Sequence, residues 1–266
     1  MTETAHKFDP NILREYDIRG VVGKQVHAAD ARAIGRSFGT MVPRQLGSEG
    51  GVKRVALGYD GRLSSPELAA ACSEGLAAAG VDVVSIGMVS TPMLYFAVYH
   101  LDTDAGIQIT GSHNPPDYNG FKMMMGKKSF FGEEIQKLGA IAAKGDWESG
   151  QGKVEQKNVL EAYAARLLKD VKPGKKLKVA WDTGNGAVGV SIRAVVDKLP
   201  GEHFVLNENV DGHFPAHHPD PTVPKNLEQL MAEVKSHGCD LGIAFEGDGH
   251  RIGAISGKCR VFWGDH

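Results

Sequence analysis

Residues 105–122 read Ala-Gly-Ile-Gln-Ile-Thr-Gly-Ser-His-Asn-Pro-Pro-Asp-Tyr-Asn-Gly-Phe-Lys. The short apolar run Ala105–Ile109 has the length of a buried strand, and the sudden change to Gly, Ser, Asn and Pro marks a loop. Pro115 and Pro116 cannot continue a sheet ladder, and Pro115 biases Asn114 away from helix. Ser112 is therefore expected on a constrained turn at the C-terminal end of a strand, where open α/β sheets bind ligands. A hydroxyl held there suits a nucleophile or a phosphate carrier. A surface turn of Ser, Asn and Pro is the plain alternative. The density of Ser112, His113, Asn114, Asp117 and Lys122 in one loop favours chemistry.

Working outward, strands and helices alternate, which implies α/β layers. Residues 28–42 place Ala31, Ile34, Phe38 and Met41 at helical spacing. Arg54–Gly58 reads as a strand, and Ser64-Ser65-Pro66-Glu67 as a capped helix start with proline in its first turn. That helix is expected to end at Gly80, followed by a strand over 81–86 and a helix over 92–101. Residues 144–156 are polar, carry three glycines and read as a linker. Beyond it come a helix capped by Asn158 and running to about Val171, a strand over 176–182, and the turn Gly184-Asn185-Gly186 into a helix. A helix over 224–237 closed by Gly238, a strand over 240–245 and a hairpin over 252–261 complete the pattern.

The 266 residues suffice for two α/β domains, drawn here as 1–153 and 154–266. Thirty basic and 32 acidic side chains leave a net charge of −2, which argues against a nucleic-acid partner or an acidic membrane surface. Cys72, Cys239 and Cys259 show neither metal spacing nor a disulfide framework, as expected of a reducing, cytoplasmic protein. The first ten residues lack the apolar stretch of a signal peptide, and no apolar run approaches the roughly 20 residues of a membrane helix.

A second loop, Glu246-Gly247-Asp248-Gly249-His250-Arg251, follows an apolar strand. Glu246, Asp248 and His250 alternate with glycines, a spacing that can point ligands at one cation while glycine permits a tight path. A Gly-Asp-Gly surface turn is the alternative. Ser112 next to His113 also raises a hydrolase pair. Adjacent residues seldom aim at each other as nucleophile and base, and no Gly-x-Ser-x-Gly elbow is present, which disfavours it.

The Ser112 loop resembles the phosphoserine loop of the α-D-phosphohexomutases, and most of all that of their bacterial phosphomannomutase/phosphoglucomutase branch. Other stretches resemble the family in its order: Arg14–Gly20, Gly58–Pro66, Thr91-Pro92, Asp182–Ala187, Phe214–Pro221 and Glu246–Arg251. The resemblance implies two consecutive three-layer α/β domains with mixed sheets. It implies that Ser112 carries a phosphoryl group and exchanges it with a phosphorylated hexose through a bisphosphate, interconverting the 1- and 6-phosphates. Lys122 matches the family's general acid/base, Arg19 an active-site arginine, and His113 a loop residue beside the serine. Asn114, Arg251 and Tyr16 match positions that orient the loop or the phosphate. Ser112, Glu246, Asp248 and His250 stand where the family holds Mg²⁺, with a hexose 1,6-bisphosphate as activator.

Two departures stand out. The family's loop reads Asp-Gly-Asp-Gly-Asp-Arg, whereas Glu246 is a methylene longer and His250 replaces an oxygen ligand with nitrogen. The expected result is weaker Mg²⁺ affinity, with a softer divalent ion such as Zn²⁺ better suited. The chain also matches only the N-terminal half of the four-domain family enzyme. Turnover is then expected to be impaired, because binding energy from the remote phosphate is lost to the transition state. A non-catalytic remnant, or a module binding a phosphosugar or another subunit, is the alternative, and self-association through surface the other domains would cover is a further expectation. Mannose and glucose are not distinguished, since the family discriminates them in its other half.

Overall fold

The computed structural model describes residues 5–47, 49, 51–172 and 174–262. The sequence readings at residues 1–4 and at the chain end, 263–266, lie outside the described residues. In chain order the first unit contains β1 (Ile18–Val21), α1 (Ala28–Leu46), β2 (Arg54–Tyr59), α2 (Ser65–Ala78), β3 (Asp82–Met88) and α3 (Thr91–His100). It continues with β4 (Ala105–Ile109), β5 (Tyr118–Met125), β6 (Lys128–Phe130), α4 (Glu133–Lys144) and β7 (Val154–Gln156). Its sheet runs β1-β5-β4-β2-β3-β7, with β6 paired to β5. The strands β4, β2, β3 and β7 are parallel, whereas β5 runs antiparallel to its neighbours β4, β1 and β6. Ile34, Phe38, Leu68, Leu76, Ile135 and Leu138 bury one face of this sheet under α1, α2 and α4. Met93, Leu94, Ala97 and Val98 cover the other face with α3. The result is three layers around a mixed sheet.

The second part holds α5 (Leu160–Leu168), β8 (Leu177–Asp182), a 3-10 turn at Ala187–Val190, α6 (Ile192–Val196), β9 (Gly201–Leu206), a second 3-10 turn at Pro224–Leu227 and α7 (Glu228–His237). It closes with β10 (Leu241–Phe245), β11 (Ile252–Ser256) and β12 (Val261–Phe262). The sheet order is β12-β11-β10-β8-β9, parallel through β10, β8 and β9 and antiparallel at β11 and β12. Leu230 and Val234 of α7 pack on one face, and Ile192 and Val196 of α6 on the other. The α/β class with mixed sheets agrees with the sequence reading.

Several local readings differ from what is observed. The end of the presumed linker is a strand: Val154–Gln156 hydrogen-bonds in parallel with β3 and lies at the edge of the first sheet. Its residues are all exposed, so no hydrophobic pattern announced it. Strand β5 has no counterpart among the sequence readings, and it runs through Asn119-Gly120. Here Asn119 is buried and donates to the hydroxyls of Ser64 and Ser65, at 2.8 and 2.9 Å. The Ser64 hydroxyl thus accepts from Asn119 and caps no helix. Gly120 is required by contact, since a Cβ there would stand 2.0 Å from the Ile18 carbonyl oxygen of β1. The helix capped by Asn158 ends at Leu168, short of Val171, although Asn158 does accept from the Leu160 N–H at 2.9 Å. The turn at Gly186 leads through a 3-10 turn, Ala187–Val190, into the short helix Ile192–Val196.

Candidate active site

Two loops meet at the C-terminal ends of parallel strands, one after β4 and one after β10. Ser112 takes a left-handed backbone, φ 54°, which is uncommon for a residue with a side chain and persists only when its surroundings hold it. Three buried groups supply that hold. The Asp60 carboxylate accepts from Thr110 Oγ1 at 2.7 Å and from the Gly111 N–H at 3.2 Å. Thr110 Oγ1 in turn accepts from the Ser112 N–H at 2.8 Å. The Arg62 guanidinium, 1 % exposed, donates to the carbonyls of Ser112, Asn114, Pro115 and Tyr118 at 2.9, 2.7, 2.5 and 3.0 Å. Burial pushes the Arg62 pKa down, and the Asp60 charge works against that shift. Arg19, reached from β1, donates to the Gly111 carbonyl at 2.5 Å and to Asn114 Oδ1 at 2.6 Å, while also pairing with Asp17. Gly111 leaves room for this cradle, because a Cβ there would lie 2.2 Å from the Arg62 guanidinium carbon.

The acidic loop faces the serine. Ser112 Oγ donates to Glu246 Oε2 at 3.3 Å, and Lys122 Nζ donates to Ser112 Oγ at 3.2 Å and to Asp248 Oδ2 at 2.7 Å. One ammonium therefore bridges two residues 136 positions apart in the chain. Lys122 reaches them because its place on β5 projects it from the sheet. Thr91, the first residue of α3, clasps Asp248 twice: Oγ1 donates to Oδ2 at 2.6 Å, and its N–H to the Asp248 carbonyl at 2.8 Å. Burial alone would raise the pKa of Asp248; the Lys122 charge and the hydrogen bonds from Lys122 and Thr91 outweigh it and hold the carboxyl well below the usual range. Burial and then the Lys122 charge push the His250 imidazole down. Arg251 Nε donates to Glu246 Oε2 at 2.9 Å, and its guanidinium meets His113 Nδ1.

The residues predicted to hold a cation do not converge as a set. Among the described residues no group of three His, Cys, Asp or Glu side chains is arranged to bind a metal ion. His250 directs Nδ1 at Lys122, 3.4 Å away. Both Asp248 oxygens are occupied, Oδ2 by Thr91 and Lys122 and Oδ1 by the His250 N–H at 3.3 Å. Of the acidic loop's carboxylate oxygens among the described residues, Glu246 Oε1 is buried without a partner. This donor set does not fit a resident divalent ion.

Of the other expected residues, Ser112, Lys122, His113, Arg19, Asn114 and Arg251 are all brought to the two loops. His113 is peripheral, its side chain 41 % exposed, with Nδ1 3.4 Å from Ser112 Oγ and 3.6 Å from Glu246 Oε2. Tyr16 stands 80 % exposed and holds neither loop, because it precedes β1 on the solvent side of the chain. Asp60, Arg62, Thr91 and Thr110 were given no role from sequence. The signal available was the family resemblance of Gly58–Pro66 and Thr91-Pro92, which carried no individual role, and for Thr110 its place at the end of an apolar strand.

A two-sheet α/β protein whose serine loop faces an acidic loop is the class that this fold and loop cradle define. The chain matches the model of phosphoglucomutase/phosphomannomutase α/β/α domain I over residues 10–149 and that of domain II over residues 160–258. It belongs to the phosphoglucomutase/phosphomannomutase family. It is 44 % identical over 255 residues to a phosphomannomutase/phosphoglucomutase of Pseudomonas putida, covering 96 % of this chain and 54 % of the relative. It is 42 % identical over 264 residues to one of Pseudomonas aeruginosa, covering 99 % and 56 %. The crystal structure of a phosphoglucomutase/phosphomannomutase family protein from Burkholderia thailandensis superposes with a TM-score of 0.91 at 42 % identity, over 97 % of this chain and 57 % of that one. The chain thus spans about half the length of these relatives. Among the described residues no helix is long and apolar enough to cross a membrane.

Proposed function

We propose that this chain carries the phosphoryl-exchanging half of a phosphohexomutase site. Ser112 is the carrier. In the outward transfer the Oγ–P bond breaks, a new P–O bond forms to a hydroxyl of a hexose monophosphate, and Lys122 delivers a proton to Oγ. In the return transfer a phosphoryl group of the resulting bisphosphate comes back to Oγ, and Lys122 recovers its proton. The proton lost by the attacking sugar hydroxyl passes to solvent, and the oxygen that leaves in the return takes one back from solvent. Arg62 and Arg19 keep the loop in place, while Arg251 and His113 flank Oγ as anion-facing groups. Catalysis of this kind is mostly positioning and charge stabilisation, which a preformed cradle supplies.

The observation that carries the reading is Ser112 Oγ, on a left-handed turn, within 3.2 Å of Lys122 Nζ. No step is routed through Mg²⁺ or Zn²⁺, since the donor set does not fit either. The two structural units are proposed to divide after β7, near residue 157, because β7 completes the first sheet. Glucose against mannose is a property proposed to reside outside these residues.

The test begins with intact mass after incubation with glucose 1,6-bisphosphate. The wild-type chain is expected to gain one phosphoryl group and Ser112→Ala none. A coupled assay from glucose 1-phosphate then measures turnover. A wild-type chain that never takes up phosphate would overturn the proposal. Phosphate uptake without turnover would support the half-site reading, exchange at Ser112 without full mutase turnover; binding of the bisphosphate with no uptake would favour the phosphosugar-binding reading.

A further inference from the structure

The two carboxylates of the acidic loop, Glu246 and Asp248, are each fully buried and each already matched by a cation of this chain. Lys122 Nζ lies 2.7 Å from Asp248, and Arg251 Nε lies 2.9 Å from Glu246. With Ser112 unmodified, the local charge is balanced. A divalent ion entering between Ser112 and Asp248 would displace the Lys122 ammonium or sit beside it, and like charges at such close range repel strongly away from bulk water. The third position of the loop offers no compensation, since His250 has no negative charge to give and directs Nδ1 at Lys122.

We propose that Lys122 is the resident cation of this site: its ammonium occupies the place between Ser112 Oγ and Asp248 that a divalent ion would need, so the unphosphorylated chain does not take up Mg²⁺. The ammonium makes the contacts such an ion would make, to the serine oxygen at 3.2 Å and the carboxylate at 2.7 Å. Thr91 Oγ1 adds a second donor to the same carboxylate oxygen. Asp248 is thereby satisfied inside the fold, which matters because an uncompensated buried charge is strongly destabilising. The inference rests on the reading of Ser112 as the acceptor oxygen of this site, and extends it by assigning Lys122 the counter-ion role as well.

The experiment is isothermal titration of MgCl₂ into the 266-residue chain whose Ser112 has been freed of phosphate and checked by intact mass. Wild type is expected to show no saturable binding at millimolar Mg²⁺. Lys122→Met, which removes the charge and keeps much of the stem, is expected to gain saturable binding, at least roughly tenfold tighter than wild type. Lys122→Arg, which keeps a cation, is expected to stay as blind as wild type. Saturable Mg²⁺ binding by wild type overturns the proposal, as does a folded Lys122→Met no better than wild type. If Lys122→Met does not fold, the wild-type titration decides alone, flat in support and saturable against. Phosphate uptake on Ser112 is read in separate samples by mass, so either idea can fail without the other.

Discussion

Arg62 shows how much of this site rests on a single buried side chain. Its fork satisfies four carbonyls of a loop whose central residue has an unfavourable backbone, so the cost of the strained turn is met locally. The ring of Phe214, 5.2 Å from the guanidinium carbon, covers it from the second unit. His217 is a second such residue. Nε2 faces Asp182 Oδ2 at 2.8 Å and Nδ1 faces the His218 carbonyl at 3.0 Å, so both nitrogens meet acceptors and the protonated ring is favoured. Burial pulls its pKa down, but the Asp182 carboxylate more than reverses this and leaves it above the ordinary 6.5. A raised folded-state pKa stabilises the fold fully below the unfolded value and loses that contribution as pH climbs through the folded value. Relative to His217→Gln, wild type is expected to be more stable by about 1 kcal/mol at mildly acidic pH, with the gap closing toward alkaline pH. Urea unfolding of both proteins across that range checks it, and a gap that widens with pH would refute the assignment.

At the scale of elements, helices α1 and α2 cross through glycine. A Cβ on Gly35 would lie 2.1 Å from the Cys72 carbonyl oxygen, and one on Gly75 would lie 2.0 Å from the Arg32 carbonyl oxygen. Alanine normally favours a helix by about 1 kcal/mol over glycine. Here the obstacle is backbone, which cannot swing aside, so the sign reverses. Gly75→Ala is expected to lower stability by about 2 kcal/mol, measured as a reduced urea midpoint with an unchanged slope. A stabilised Gly75→Ala would mean that the helices are not in this close register. The elements legible in the sequence were those with strong periodicity or a clear terminus: α1 through Ala31, Ile34, Phe38 and Met41, and α7 through Gly238, which does adopt the left-handed cap at φ 58°. Strands β5 and β7 were not legible. Asn119-Gly120 serves contacts to Ser64, Ser65 and Ile18, all distant in sequence, and exposed Val154–Gln156 is a strand only because β3 offers an open edge.

Across the whole molecule, the site exists because two units close on each other. Thr91 of the first unit grips Asp248 of the second by side chain and backbone, and a Cβ on Gly61 would strike Val210 at 2.2 Å. The seam is therefore tight beside the loops. Thr91→Val keeps the shape and the backbone bond but removes a hydroxyl from a buried carboxylate, an expected loss of about 2 kcal/mol. In variants keeping only Trp147, in the first unit, or only Trp181, in the second, both fluorescence transitions are expected to shift together to lower urea. Movement of one probe without the other would show that the clasp does not couple the units.

By itself the amino-acid chain determined the layered α/β class, the turn that carries Ser112 and the loop that carries Asp248, because hydrophobic period, proline and glycine act over a few residues. Only the tertiary structure decided what fills the space between those loops. Whether Glu246, Asp248 and His250 converge on a metal or on Lys122 depends on where β5 projects its lysine and on how Thr91 closes the seam. Those are distances across two sheets, and no local spacing encodes them.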